Sequence, residues 1–274
     1  MIKVKVYAKV NISLLVNGTD NKGYHILDSV VASANIADVI SVQKSERDVV
    51  VMSSANESIK AKILSLVAKM REQFAFSPVC INIENNIPLG AGLGASSADM
   101  SGVIIGIDEL FDLGIKKEKL IEIADSVGSD TAFMLDGGCG RIEGRSTVTD
   151  RFCMKERNAV IAIKGFCNTA DVFRLYDGLP KTLQALDNSA VIRALENDES
   201  VEGITANDLT TASSVLNPDI LRAIKIMGKC AYMSGSGSAV FGFDVSEDKT
   251  VKLKNEGFEV FPCKIGNFVT QVIK

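Results

Sequence analysis

The sequence predicts an α+β protein built as two units, residues 1–155 and 156–274. Three observations predict it. The chain opens on a strict alternation of apolar and polar residues, the period of a β-strand. Helical stripes and strand-like runs then interleave. Beyond about residue 155 the composition resets with a fresh strand-like run, AVIAIKG, followed by a second mixed set of elements.

The opening strand is read from Val4, Val6, Ala8, Val10, Ile12 and Leu14, which alternate with Lys3, Lys5, Tyr7, Lys9, Asn11 and Ser13. Period two puts Lys9, Asn11 and Ser13 on one face, opposite the core face of a half-buried strand. The glycine-containing turn NGTDNKGYH follows, then a second strand-like run around Leu27 to Val31. Between Ser58 and Phe74, Ile59, Ile63, Leu66, Val67 and Met70 form a helical stripe. Val79, Ile81 and Ile83 predict a strand that leads into a glycine-rich loop.

Past that loop, Met100, Val103, Ile104, Ile107, Leu110 and Phe111 share one helix face, with Gly114 as the stop. Leu120, Ile121, Ala124 and Val127 predict a shorter helix ending at Gly128. In the second unit, AVIAIKG leads into a mixed loop. Helical segments follow near Lys181 to Glu196 and Asp219 to Met227, and then two late strands. There is no internal repeat and no low-complexity linker, so the two units are expected to pack closely.

Bulk composition narrows the function. Hydrophobic content of 46% and charged content of 23% over 274 residues suit a chain that buries a sizeable core. A net charge of −4 argues against nucleic acid as a partner, because a polyanion-binding surface shows as a basic excess. No apolar run reaches the roughly 20 residues needed to span a bilayer, and the N-terminus MIKVKVYAKVN lacks the apolar core of a signal peptide. The expectation is a cytoplasmic protein without a membrane partner. The six cysteines are scattered with no CxxC pair, which predicts isolated thiols rather than a zinc site or a disulfide framework.

The stretch IPLGAGLGASSADMSG, residues 87–102, carries the strongest functional signal. Successive glycines let backbone N–H groups converge on an anion, and a following helix N-terminus adds about half a positive charge. A phosphate cradle and a plain flexible turn both fit that pattern. Among cradles, a Walker A loop needs a closing Gly-Lys-Ser/Thr, which is absent. A dinucleotide fingerprint should run straight out of a strand, whereas Glu84 to Leu89, with Pro88, intervene. Its acidic partner should end the next strand, yet Asp108, Glu109 and Asp112 fall in or near a helix.

The pattern Pro-x-Gly-x-Gly-Leu, then small and serine residues opening a helix, resembles the ATP loop of the GHMP kinases. The resemblance extends along the chain in the family's order. It takes in AKVNISLLV from Ala8, GYHILDSV from Gly23, GSDTAFMLDGG from Gly128, TADVFRLYD from Thr169, NDLTTASSVLNPDI from Asn207 and a second glycine motif, MSGSGSAVFGF, from Met233. Within the family the match is nearest to members that phosphorylate the 2-hydroxyl of a cytidine-diphosphate-linked polyol in non-mevalonate isoprenoid precursor biosynthesis. Departures occur at Asp20, Asn21 and Lys22 before Gly23, at Ala95 to Ser101 in the loop, and at Thr131, Ala132 and Phe133 after Asp130.

The resemblance implies a two-domain fold, ribosomal-S5-like then ferredoxin-like, with the site between the domains. It implies ATP and Mg²⁺ as cofactors and leaves the metal ligands unassigned. Asp130 is implied as the catalytic base and Lys9 as its cationic neighbour. Pro88, Leu89, Gly90, Ala91, Gly92, Leu93, Gly94, Ala95, Ser96, Ser97 and Ala98 are implied to hold ATP. Asn11, Tyr24, His25, Thr169, Gly235 and Gly237 are implied to bind the acceptor, with Tyr24 and His25 framing the cytosine. Another small alcohol, homoserine- or mevalonate-like, and a catalytically silent nucleotide-binding member are the alternative readings. Monomer and homodimer both fit the sequence.

Overall fold

The computed structural model describes residues 1–54, 56–180 and 186–273. The fold is α+β. Strands β1 (Ile2–Thr19) and β2 (His25–Lys44) form a long antiparallel hairpin. Its turn is closed by Asp20, whose carboxylate accepts the backbone N–H of Lys22 and Tyr24 at 2.8 and 2.9 Å. β3 (Val49–Met52) pairs in parallel with β4 (Val79–Glu84), and β4 pairs with β2. Between β3 and β4 runs α1 (Glu57–Gln73), started by Asn56, whose side chain accepts the Ile59 N–H. Its buried stripe, Ile59, Ile63, Leu66, Val67 and Met70, is the one the periodicity predicts.

After the glycine loop come α2 (Ala95–Phe111), α3 (Lys117–Asp125) and the single turn α4 (Thr131–Met134). The chain then returns to the sheet as β5 (Cys139–Gly144), β6 (Thr147–Phe152) and β7 (Arg157–Ile163). Next stand α5 (Thr169–Gly178), α6 (Asn188–Glu196), α7 (Thr210–Leu216) and α8 (Asp219–Met227). The hairpin β8 (Ala231–Met233) and β9 (Val240–Phe243) follows, then α9 (Glu247–Asn255), β10 (Glu259–Gly266) and β11 (Gln271–Ile273).

The strands join into one sheet. β10 pairs with β7 along its length and with β2 at Ile265 and Gly266, and β11 pairs with the start of β1. The last strands of the chain are therefore stitched to the first. A large core packs α1 and α2 on the sheet, with Ile40, Ile63, Leu66, Ile104 and Phe133 fully or almost fully buried. A second cluster, including Leu14, Val160, Val172, Ala223 and Val240, lies under α5, α7 and α8.

Three expectations need correction. First, β1 is buried on both faces through its middle: Lys9 and Asn11 are each only 4% exposed. Helix α2 packs on one face and the glycine loops cover the other. Second, Ser13 does not share the face of Lys9 and Asn11. Asn11 pairs with Val31 and Ser13 with Val30, so one extra residue of β1 bulges between them. The bulge inverts the alternation, turning Ser13 away and bringing Leu14 round to the side of Lys9. Third, the segment read as a mixed loop after β7 holds α5, and α7 and α9 were not foreseen. The expected helix from Lys181 to Glu196 is seen as Asn188–Glu196; residues 181–185 lie outside the described residues.

Candidate active site

Beyond β11 the free edge of β1 must find partners, since buried backbone groups are rarely left unpaired. The glycine loop and the segment before α7 supply them. The Lys9 N–H donates to the Leu93 carbonyl at 3.0 Å, the Leu14 N–H to Ala206 O at 2.9 Å, and the Asp208 N–H to Leu14 O at 2.9 Å. This local pairing lays the glycine loop directly across Lys9.

The loop alternates like a strand. Ala91, Leu93 and Ala95 are buried inward, while Gly90, Gly92, Gly94 and Ser96 line a cavity of about 560 Å³. Gly94 is the N-cap of α2, with φ of 79°, and no side chain caps that helix. The first intrahelical bond runs from the Ala98 N–H to Gly94 O at 2.9 Å. The amides just before Ala98 are therefore the orphan donors of the first turn, and no acidic residue stands among them. An uncapped helix start behind three glycines fits a phosphate.

The second glycine motif joins β8 to β9 and packs against the first. The Ala239 N–H donates to Ala91 O at 3.0 Å, and the Ser234 hydroxyl to Gly92 O at 2.9 Å. The same hydroxyl accepts the Asn11 N–H at 3.2 Å. Asn207 fixes this loop from behind, donating to Met233 O and Gly235 O at 2.9 and 2.8 Å. At Gly92, where φ is 82°, an added Cβ would stand 2.2 Å from the Ser234 carbonyl oxygen, so no side chain fits.

Asp130 sits at the start of α4 but makes no capping hydrogen bond there. Its carboxylate lies instead 3.3 Å from the Lys9 ammonium. Lys9 also donates to Asn11 Oδ1 at 2.7 Å, and Asn11 Nδ2 donates in turn to Ser29 Oγ at 2.8 Å. The chain Asp130–Lys9–Asn11–Ser29 thus runs from the cavity floor into the sheet, an ion pair at its Asp130 end and buried hydrogen bonds beyond. Lys9, Asn11 and Asp130 all line the cavity together with Thr169, Gly235 and Gly237. Thr169, the first residue of α5, shares a hydroxyl–hydroxyl hydrogen bond of 2.9 Å with Ser236.

Tyr24 and His25 stand apart from that wall. The His25 ring stacks on Phe173 with centroids 4.4 Å apart, and its Nε2 lies 2.9 Å from Asp177 Oδ1. Tyr24 is half exposed, with the Arg145 guanidinium 3.9 Å above its ring. Phe173 itself lines the cavity and so connects this aromatic group to the floor. Pro88, Leu89, Ser97 and Ala98 flank the cradle without lining the cavity.

Sequence reasoning missed several lining residues. Phe173 lay inside the quoted TADVFRLYD stretch as an apolar helix position. Leu14 was hidden by the bulge, and Leu27 was read only as the start of a strand-like run. Lys62 is a polar residue on an otherwise ordinary amphipathic helix, and Phe166 stands 64% exposed beside Gly90 with no pattern to mark it. All six cysteines are free. No helix of the described residues is long and apolar enough to cross a membrane.

Known proteins resemble this chain. The family model described as "GHMP kinases N terminal domain" matches residues 61–138. A 4-diphosphocytidyl-2-C-methyl-D-erythritol kinase of Syntrophomonas wolfei is 32% identical over 269 residues, covering 93% of each chain. The kinase of the same name from Caldicellulosiruptor bescii is 29% identical and covers 88% of each. A crystal structure of 4-(cytidine 5'-diphospho)-2C-methyl-D-erythritol kinase superposes with a TM-score of 0.79 at 25% identity, covering 97% of this chain and 100% of that one. A homoserine kinase from Cytophaga hutchinsonii shares the fold, with a TM-score of 0.67 at 18% identity. With that similarity running nearly end to end and both glycine loops meeting over the Lys9–Asp130 pair, the chain belongs to the GHMP kinase family, in its 4-diphosphocytidyl-2-C-methyl-D-erythritol kinase branch.

Proposed function

We propose that the protein is an ATP-dependent kinase that phosphorylates the 2-hydroxyl of 4-diphosphocytidyl-2-C-methyl-D-erythritol, a step toward isoprenoid precursors. The observation that carries this reading is the Lys9–Asp130 contact of 3.3 Å on the floor of a cavity walled by two glycine loops. Residues 1–155 supply the first glycine loop, Lys9, Asn11, Asp130, Tyr24 and His25, and residues 156–274 add Thr169, Phe173 and the second glycine loop.

In this reading the α2 N-terminus and the backbone of Gly90, Gly92 and Gly94 bind the ATP phosphates. Asp130 accepts the proton of the acceptor hydroxyl as its oxygen bonds to the γ-phosphorus and the bond to ADP breaks. Lys9 positions Asp130 and offsets charge on the phosphoryl group in transit, since such transfer rests on positioning and electrostatics. Asn11 orients Lys9 and the hydroxyl. His25 and Phe173, with Tyr24 at the rim, present flat faces and a ring nitrogen to the cytosine. Mg²⁺ would screen the phosphate charge. It would keep mostly water and phosphate oxygens as ligands, and among the described residues no group of three His, Cys, Asp or Glu side chains comes together.

A coupled ADP assay with a panel of acceptors tests this. Turnover is expected with the cytidine-diphosphate-linked polyol and not with homoserine or mevalonate. Turnover on one of the latter, with none on the former, rejects the acceptor assignment.

A further inference from the structure

Three charged side chains line the cavity: Lys9, Asp130 and Lys62. Lys9 is committed, 2.7 Å from Asn11 Oδ1 and 3.3 Å from Asp130. Lys62 is not. It projects from the second turn of α1, at the flank of the stripe formed by Ile59, Ile63 and Leu66, and it is exposed. Among the described residues it makes no ion pair and no hydrogen bond. Its neighbour Lys60, by contrast, is taken up by Glu57 at 2.8 Å.

The placement is directional. Lys62 belongs to the same unit as the glycine cradle, and α1 packs on α2, the helix whose uncapped start faces the cavity. Ser96 in the first turn of α2 and Ser129 beside Asp130 line the same cavity. His25 and Phe173, at the other end, lie on β2 and α5.

Charge bookkeeping points the same way. Lys9 and Asp130 together are neutral, so without Lys62 the lining would offer a triphosphate only partial charges from backbone dipoles. Lys62 is the lining ammonium not already paired with a carboxylate among the described residues, and an unpaired ammonium makes strong charge-assisted contacts to phosphate.

We infer that Lys62 is a nucleotide-binding residue: its ammonium contacts the ATP triphosphate from the α1 side, opposite Lys9. This rests on the ATP reading above and adds a specific contact to it. The long flexible stem lets Lys62 close on the phosphates after they enter, and it contributes binding rather than proton transfer.

The test compares the parental protein, Lys62→Met and Lys62→Arg by calorimetric titration with a non-hydrolysable ATP analogue plus Mg²⁺ and, separately, with adenosine. Removing one charge-assisted contact is expected to weaken the analogue by about tenfold, with adenosine binding unchanged. Lys62→Arg should recover most of the loss, and the loss should shrink as salt is raised. Thermal unfolding of each variant guards against a folding defect. Equal affinity of the Met variant and the parent for the analogue overturns the inference, as does an equal loss for adenosine. If the parent binds neither ligand, the ATP reading fails before Lys62 is at issue.

Discussion

Asp38 and Asp99 are carboxyl groups buried beneath the glycine loop, each with no exposed surface. Asp38 Oδ1 accepts the N–H groups of Asn86 and Ile87, at 2.5 and 2.8 Å, just before Pro88. Asn85 Nδ2 lies 3.4 and 3.5 Å from the two Asp99 oxygens. Burial pushes both carboxyls up, and with the added repulsion of Asp38 it takes Asp99 to about 8. The folded chain therefore holds a proton here that the unfolded chain releases near pH 4. The resulting stability is full below that pH and is lost as pH rises towards 8. The urea midpoint should accordingly fall between about pH 5 and about pH 9, and Asp99→Asn should flatten that fall. An unchanged slope in the variant would show that the proton sits elsewhere. Nothing in the sequence marked this pair. Asp99 falls within an apolar helix and Asp38 within a strand, and only their meeting in the buried interior makes Asp99 hold its proton.

At the scale of elements, the two glycine loops act as one interlocked unit. The carbonyls of Ala91 and Gly92 in the first loop accept from the second, the Leu93 carbonyl accepts from β1, and the Ser234 hydroxyl of the second loop accepts the Asn11 N–H of β1. Gly92→Ala combines a positive φ of 82° with a Cβ only 2.2 Å from a backbone oxygen, so the loops must separate. The expected cost is about 2–4 kcal/mol in urea unfolding, from left-handed strain plus overpacking, together with a raised KM for ATP. A loss within about 0.5 kcal/mol, typical of a neutral surface change, would mean the loops are not packed as described. The loop's position before a helix was legible because glycine, proline and helical periodicity are local signals. The interlock was not, since it depends on pairings between residues more than a hundred positions apart. The same holds for β1: its alternation gave Lys9 and Asn11 a common face, but a single bulged residue beyond Asn11 undid the prediction for Ser13.

For the whole molecule, β10 pairing with both β2 and β7 makes the sheet continuous across the predicted boundary. Late strands could be read from apolar runs, yet no local pattern says that the chain's end returns to its beginning. α5 and α7 escaped detection because neither carries a wide apolar stripe: α5 buries Val172, and α7 buries Ala212, Ser213 and Ser214, with the Ser213 hydroxyl bonding the Ser236 carbonyl at 2.9 Å. Lys9, Asp130 and both glycine motifs could be named from the ordered resemblance, and the structure brings them together around one cavity. What the whole fold adds is their convergence, since segments separated by more than a hundred residues must be held in register for phosphoryl transfer.

That convergence is tested most directly by Asp130→Asn, measured as kcat beside the affinity for an ATP analogue. The substitution keeps the shape and removes the base. The account predicts a fall in kcat of about 10²–10⁴-fold with analogue affinity nearly unchanged. Turnover at the parental rate would contradict it.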